Sequence, residues 1–259
     1  MFFTIITCTY NSEKLVQKNI DSVINQNFDD YEHLFIDGYS NDNTEKIIEI
    51  YRKKNPQRVK LIQKKARGIS HAMNQGIKNA QGKYLIHLHS DDSFYSKDVL
   101  TKVQDFLKTN NYPDWIYGKA CIIEENGVKI GIFPNKKIMH LGDSYISKYF
   151  LKYFNFISHQ AVFIKKNCFD KYGYFDENMK SAMDSDMWLR IKNSTNWLFF
   201  NKIICNYVIR ADAQSSGKKN QARNLSNYLK VQRKNMNIFE FQIAKLFNML
   251  KNKINKTLR

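Results

Sequence analysis

The chain has 259 residues, 43% of them hydrophobic, with 41 Lys and Arg against 24 Asp and Glu. That length buries one substantial core, and the apolar content excludes a disordered polymer. Three prolines, no Gly/Ser-rich linker, no internal repeat and no run of about 18 apolar residues exclude a beaded or membrane-spanning chain.

Phe2–Thr9 reads as a buried strand, β-branched and unbroken. It lacks the basic start and small-residue cleavage site of a signal peptide, so a core strand is expected. Asn11 or Ser12 caps a predicted helix running to about Gln26, with Leu15, Ile20, Val23 and Ile24 inward. Tyr31–Ile36 is a second predicted strand ending at Asp37-Gly38, and Ser40 to Thr44 opens a helix with Ile47, Ile48 and Tyr51 inward. A third strand at Val59–Ile62, a helix from Gly68 to Asn79 and a fourth strand at Tyr84–Leu88 follow, the last stopping at Ser90-Asp91-Asp92. Such alternation predicts a parallel, doubly wound sheet, which binds ligands beyond the carboxyl ends of its strands. Those ends carry Thr9-Tyr10-Asn11, Asp37-Gly38 and Asp91-Asp92.

The second half reads differently. A helix is expected over Ser96–Asn110, and two strands, Trp115–Ile123 and Val128–Phe133, flank a hairpin turn at Asn126-Gly127. A short strand at Ala161–Ile164, a helix beginning over Asn167–Lys171 and a helix at Asp184–Asn193 complete the globule. Cys8, Cys121, Cys168 and Cys205 are isolated, which argues against structural zinc and suits a reducing cytosol.

The net charge of +17 is uneven: after residue 216 there are eleven Lys and Arg and one acid, Glu240. From Ile238 onward, Phe239, Ile243, Leu246, Leu250, Ile254 and Leu258 recur at helical spacing, with Lys245, Lys251, Lys253, Lys256 and Arg259 on other faces. This is an amphipathic basic helix suited to an anionic membrane surface, or one docked on the globule or on another subunit, as in a homodimer. A nucleic-acid-binding module is permitted by charge and by 14% aromatics. The aspartates at the sheet ends oppose it, because they repel phosphates unless a metal intervenes.

Two acidic clusters carry the chemistry. Carboxylates side by side repel, and a divalent cation offsets that at Asp91-Asp92. Asp184-Ser185-Asp186 offers a base. Helix caps and turns are the plainer roles for both clusters.

In order along the chain, six segments resemble the inverting, GT-A-fold bacterial glycosyltransferases of family 2. They are Thr4 to Asn11, Phe35 to Thr44, Gly68 to Gly76 (Gly-Ile-Ser-His-Ala-Met-Asn-Gln-Gly), Ser90-Asp91-Asp92, Ser158-His159-Gln160, and Asp184 to Arg190. The resemblance spans about residues 2–207. It departs from the usual pattern at His71, where Asp is commoner, and at His89, where Asn or Asp often precedes the metal motif.

The resemblance implies an α/β protein of GT-A type. A Rossmann-like, mostly parallel nucleotide-sugar half (about 1–110) joins a mixed acceptor half (111–216), followed by a basic helical tail (217–259). It implies a UDP-sugar or similar donor held by Thr9, Tyr10, Asn11, Asp37, Arg67 and Asp91, and Mn²⁺ or Mg²⁺ at Asp91 and Asp92. Asp184 is the implied base. His159, Gln160, Asp186 and Trp188 are implied on the acceptor side, where a saccharide or lipid-linked saccharide binds. Core packing competes for Trp188, a buried histidine for His159, a structural role for Asp186, a turn for Asp37 and a solvated loop for Arg67. Asp212 or Ser215-Ser216 are candidates to close over the donor. The expected enzyme is cytoplasmic, peripheral on the inner face of the cytoplasmic membrane, and works in surface polysaccharide synthesis. A metal-dependent nucleotidyltransferase shares the metal and nucleotide half, and is told apart by releasing pyrophosphate.

Overall fold

The computed structural model describes residues 1–135, 145–210 and 218–257. Asp212, Ser215 and Ser216 lie outside them. In chain order β1 (Phe3–Thr9), α1 (Val16–Ile24), β2 (Tyr31–Asp37), α2 (Thr44–Lys54), β3 (Val59–Gln63), α3 (Ile69–Asn79) and β4 (Tyr84–His87) form the first half. β1 pairs in parallel with both β2 and β4, and β2 pairs in parallel with β3. The register sets Thr9 opposite Asp37, so two of the polar strand ends meet at one edge. Side chains alternate between faces with period two: Ile6, Cys8, Leu34, Ile36 and Leu85 enter one core, and Phe3, Ile5, Tyr31, Tyr84 and Ile86 the other.

Helix α1 starts later than its sequence suggests. The Ser12 carbonyl accepts from the N–H groups of Leu15 and Val16, while the Ser12 N–H donates to Thr44 Oγ1 at 2.7 Å. Ser12 therefore joins two loops instead of capping a helix.

The second half comprises β5 (Ser93–Phe94), α4 (Val99–Thr109), β6 (Trp115–Glu124), β7 (Lys129–Phe133), α5 (Tyr145–Phe150), a 3-10 turn (His159–Ala161), β8 (Val162–Lys165), α6 (Lys166–Tyr172), α7 (Met183–Ile191) and β9 (Trp197–Ile209). The sheet runs β3-β2-β1-β4-β8-β6-β9-β5, with β7 on β6. β8 is antiparallel to both β4 and β6, whereas β9 is parallel to β6. The antiparallel strand β8 thus joins the donor-side sheet to the mixed half, and the 3-10 turn that precedes it carries His159 to the open edge.

Two helices close the chain, α8 (Lys218–Asn235) and α9 (Ile238–Thr257). Val231 of α8 is fully buried in the core that also holds Met187 and Trp188 of α7. Packing therefore continues past the boundary expected at residue 216. Among the described residues no helix is long and apolar enough to cross a membrane.

Candidate active site

At the donor edge, Asp37 is fully buried. Its Oδ1 accepts from Thr9 Oγ1 at 2.8 Å and from Ser40 Oγ at 2.6 Å, and its Oδ2 accepts from the Ser40 N–H at 2.9 Å. The Asn11 N–H donates to Ser40 Oγ, and the Asn41 N–H donates to Asn11 Oδ1, both at 2.9 Å. Asp37 and Thr9 thus bind the loops after β1 and β2 into one platform. Asn11 and Tyr39 sit in the left-handed region, at φ 50° and 61°. Between them Gly38 leaves no room for a Cβ, which would lie 2.9 Å from Tyr10 Cδ2. Close approach of Tyr10 requires glycine there. The outcome is two aromatic rings, Tyr10 at 57% and Tyr39 at 55% exposure, on a rigid base. Flat apolar faces on such a base suit a nucleobase. Tyr39 is the residue that sequence reasoning passed over; its signal was an aromatic directly after an Asp-Gly turn. Arg67 is exposed, just before Gly68 and the first turn of α3.

The motif on α3 proves to be a brace. Asn74 Nδ2 donates to Phe175 O and Glu177 Oε1, and Asn74 Oδ1 accepts from the Phe175 N–H. His71 Nδ1 lies 2.9 Å from Glu177 Oε2. A histidine at position 71 is matched by this acid on the facing loop.

The two aspartates after β4 differ in exposure. Asn19 Nδ2 donates to the carbonyls of Leu88, His89 and Asp92, fixing a tight turn. That turn leaves Asp91 half-buried and Asp92 1% exposed. Asp92 Oδ1 accepts from the Val208 N–H of β9 at 3.2 Å, and Oδ2 is buried without a partner. Burial first, and then the neighbouring Asp91, push the Asp92 carboxyl well above the usual carboxylate range. Of the two expected metal ligands, Asp91 is the more accessible.

On the acceptor side Asp184 lies in the first turn of α7, its Oδ1 accepting from the Ser185 N–H at 2.8 Å. Its Oδ2 is 3.6 Å from His159 Nδ1, and His159 Nε2 is 2.8 Å from His89 Nε2. The side chains of Asp184 and His159 are 18% and 20% exposed. One line of contacts therefore runs from the base position to the residue two before Asp91, across the junction of the two halves. At 3.6 Å the Asp184 contact is longer than a hydrogen bond; with the His159 proton on Nδ1 facing it, His159 Nε2 accepts from His89 Nε2–H. His89 Nδ1, buried without a partner, then carries only a lone pair. That tautomer pair leaves no N–H orphaned.

Three acceptor-side candidates are buried. Trp188 is 2% exposed and stacks on Trp115 at 5.2 Å, and Trp115 stacks on Trp197 at 4.7 Å. It is core, because α7 lays that face on β6. Asp186 is 1% exposed; Oδ2 accepts from Arg190 Nε at 2.8 Å and Oδ1 from Lys234 Nζ at 3.0 Å. It joins α7 to α8 and has no face left for a sugar. Gln160 is 5% exposed, accepts from Ser158 Oγ at 2.7 Å and lies beside Asp92. It lines the interior of the turn.

Among the described residues no three His, Cys, Asp or Glu converge as a ready metal cage. A half-exposed Asp91, with the buried Oδ2 of Asp92 behind it, fits Mg²⁺ or Mn²⁺ completed by substrate oxygens. Such ions commonly take one or two carboxylates and fill the remaining positions with phosphate and water.

The glycosyl transferase family 2 profile matches residues 4–167. A "PGL/p-HBAD biosynthesis glycosyltransferase" of Mycobacterium bovis (strain BCG / Pasteur 1173P2) is 27% identical over 188 residues, 73% of this chain and 68% of that one. An uncharacterized glycosyltransferase of Rickettsia bellii is 28% identical over 224 residues, 85% of this chain but 31% of its own length. Among solved structures, the S. aureus TarS 1-349 complex with UDP-GlcNAc superposes with a TM-score of 0.70 at 22% identity, covering 89% of this chain and 64% of that one. The Pyrobaculum calidifontis mannosyltransferase PcManGT, in complex with GDP-Man and Mn²⁺, gives 0.69 at 15% identity, covering 91% and 65%. The chain thus spans just under two thirds of these solved structures. A profile matched over the whole donor half, on a sheet of this topology, leads to one assignment: the chain belongs to glycosyl transferase family 2 and has the GT-A fold.

Proposed function

We propose that the protein is an inverting glycosyltransferase that moves a sugar from a UDP-sugar or similar nucleotide-sugar to a hydroxyl of a saccharide or lipid-linked saccharide. Tyr10 and Tyr39 flank the base of the nucleotide on the platform fixed by Thr9, Asn11 and Asp37. Arg67 stands free to meet the diphosphate. Asp91, backed by Asp92, holds Mn²⁺ or Mg²⁺. When bound, that ion offsets the charge that the departing nucleoside diphosphate acquires. Asp184 takes the proton of the acceptor hydroxyl as its oxygen bonds to sugar C1 and the bond from C1 to the diphosphate oxygen breaks. His159 orients Asp184 from the side of the donor site.

The observation that carries this reading is the contact line Asp184–His159–His89, which ends two residues from Asp91. It supports a reading in which Asp184 and Asp91 act from different sides of one site, the arrangement that inversion needs. The lipid-linked acceptor and a peripheral place on the cytoplasmic face of the membrane, in surface polysaccharide synthesis, belong to the same proposal. They are supported by the basic C-terminal helix.

The test is a screen of UDP-sugars, with Mn²⁺ and simple saccharide acceptors, for released nucleoside diphosphate and for the anomeric configuration of the product. Asp184→Asn is expected to keep donor affinity and lose transfer by at least about 10²-fold. Retained configuration, or transfer near the wild-type rate in Asp184→Asn, defeats the assignment. Pyrophosphate as the product favours a nucleotidyltransferase.

A further inference from the structure

Helix α9 is held to the protein by one face only. Asn237 and Glu240 cap its start reciprocally, the Glu240 N–H donating to Asn237 Oδ1 at 2.9 Å and the Asn237 N–H to Glu240 Oε2 at 3.2 Å. Glu240 also pairs with Lys152. Ala244 is fully buried, and Asn248 Nδ2 donates to Gln232 Oε1, itself fully buried on α8, at 2.9 Å. These contacts fix the rotation of the helix about its axis.

The opposite face is apolar and uncovered. Ile238, Phe239, Leu246 and Met249 are 70%, 80%, 59% and 61% exposed, and Ile243 is 47% exposed. At 100° per residue these five fall within one arc of about 140°. Through Phe247, whose ring meets Phe154 at 5.6 Å, the face extends toward α5. A soluble monomer rarely leaves so continuous an apolar strip in water, so a partner is required.

Charge selects the partner. After Glu240 the sequence contains Lys245, Lys251, Lys253, Lys256 and Arg259 and no acid. Two copies meeting through this face would bring together two segments that each carry this excess of positive charge. An acidic nucleic acid would neutralise them but leave five apolar side chains unsatisfied. A lipid surface with anionic headgroups satisfies both, taking the apolar arc below the headgroups and the lysines among them. We infer that the outer face of α9 is a docking surface for an anionic lipid bilayer, lying in its interfacial plane. This deepens the proposed function by bringing the enzyme to a lipid-linked acceptor. The test reads binding alone, so it fails separately from the transfer reaction.

The experiment is flotation of the full chain with vesicles of mixed phosphatidylglycerol and phosphatidylcholine, and with phosphatidylcholine alone, at low and high salt. Wild-type protein is expected to float with the anionic vesicles and to bind them less in high salt, where headgroup attraction is screened. The double variant F239E/L246E changes only exposed positions, and retained circular dichroism and melting temperature will confirm its fold. Its bound fraction is expected to fall by about tenfold or more. Three results overturn the inference: wild-type protein that ignores anionic vesicles at low salt, a folded double variant that binds as well as wild type, or a wild-type dimer that the variant abolishes while vesicle binding is absent.

Discussion

His159 touches two partners that belong to different halves of the fold, Asp184 at 3.6 Å and His89 at 2.8 Å. If it orients the base, His159→Ala is expected to lower kcat by about 10- to 100-fold while donor KM stays put. His159→Asn, which can restore a donor near the Nδ1 position, should recover part of that loss. A rise in acceptor KM with kcat unchanged would instead make it an acceptor ligand, the role its position in the sequence first suggested. Asp91 and Asp92 should separate as cleanly. Asp91→Asn is expected to remove Mn²⁺-dependent donor binding, read by calorimetry, with the melting temperature unchanged. Asp92→Asn replaces a buried carboxyl held well above the usual carboxylate range by a neutral group of the same shape, and should be the milder change in that assay. The candidate residues were legible as types and spacings: Asp37 ends β2 opposite Thr9, and Asp184 and His159 lie in contact. Their exposure was not legible. Whether an aspartate faces solvent or a strand depends on a partner such as the Val208 N–H, 116 residues away along the chain.

Helix α7 shows what an element adds to its residues. Its first turn presents Asp184 to the site, and its inner face lays Trp188 on Trp115, with Trp197 beyond. Trp188→Ala is expected to cost about 3–5 kcal/mol, the usual range for emptying a buried aromatic site, measured by urea unfolding. Trp188→Phe should retain most of the stability and all of the donor affinity; selective loss of acceptor binding in the Phe variant would restore a sugar-stacking role. The strands and helices of the donor half were readable because each alternates or repeats cleanly. β9 was not. Its 13 residues contain Asn201-Lys202, exposed at a shift of register against β6, which interrupts the apolar pattern without ending the strand. β5 is two residues long and exists only because Cys205 and Asn206 pair with it. Neither leaves a local signal.

Across the whole molecule, burial sets the response to acid. His33 and His87 lie inside the sheet, and burial holds both imidazoles down to about 3. Their folded values fall below the ordinary 6.5, so both are neutral in the folded protein while the unfolded chain takes up protons below that pH. The stability they contribute is complete above about 6.5 and is lost as the pH falls toward 3, by about 1.4 kcal/mol per pH unit for each. Denaturant midpoints measured from pH 7 to 4 should show that slope, and His33→Gln should flatten it. The C-terminal limits are also set globally. Ending the chain after residue 235 should leave a folded domain with a lowered melting temperature, since Gln232 and Lys152 lose their partners on α9, whereas ending it after 216 also exposes the pocket of Val231 and should lower stability by about 2 kcal/mol or more. The ion pair of Asp186 with Lys234 ties α7, which carries Asp184, to the helix that leads into α9. A body laid on a bilayer through α9 thereby carries Asp184 at a set height above the lipid plane. If the proposed docking and base both hold, acceptor length is expected to matter: transfer should be fastest to acceptors whose terminal hydroxyl reaches that height, which a series of lipid-linked saccharides of increasing length would measure.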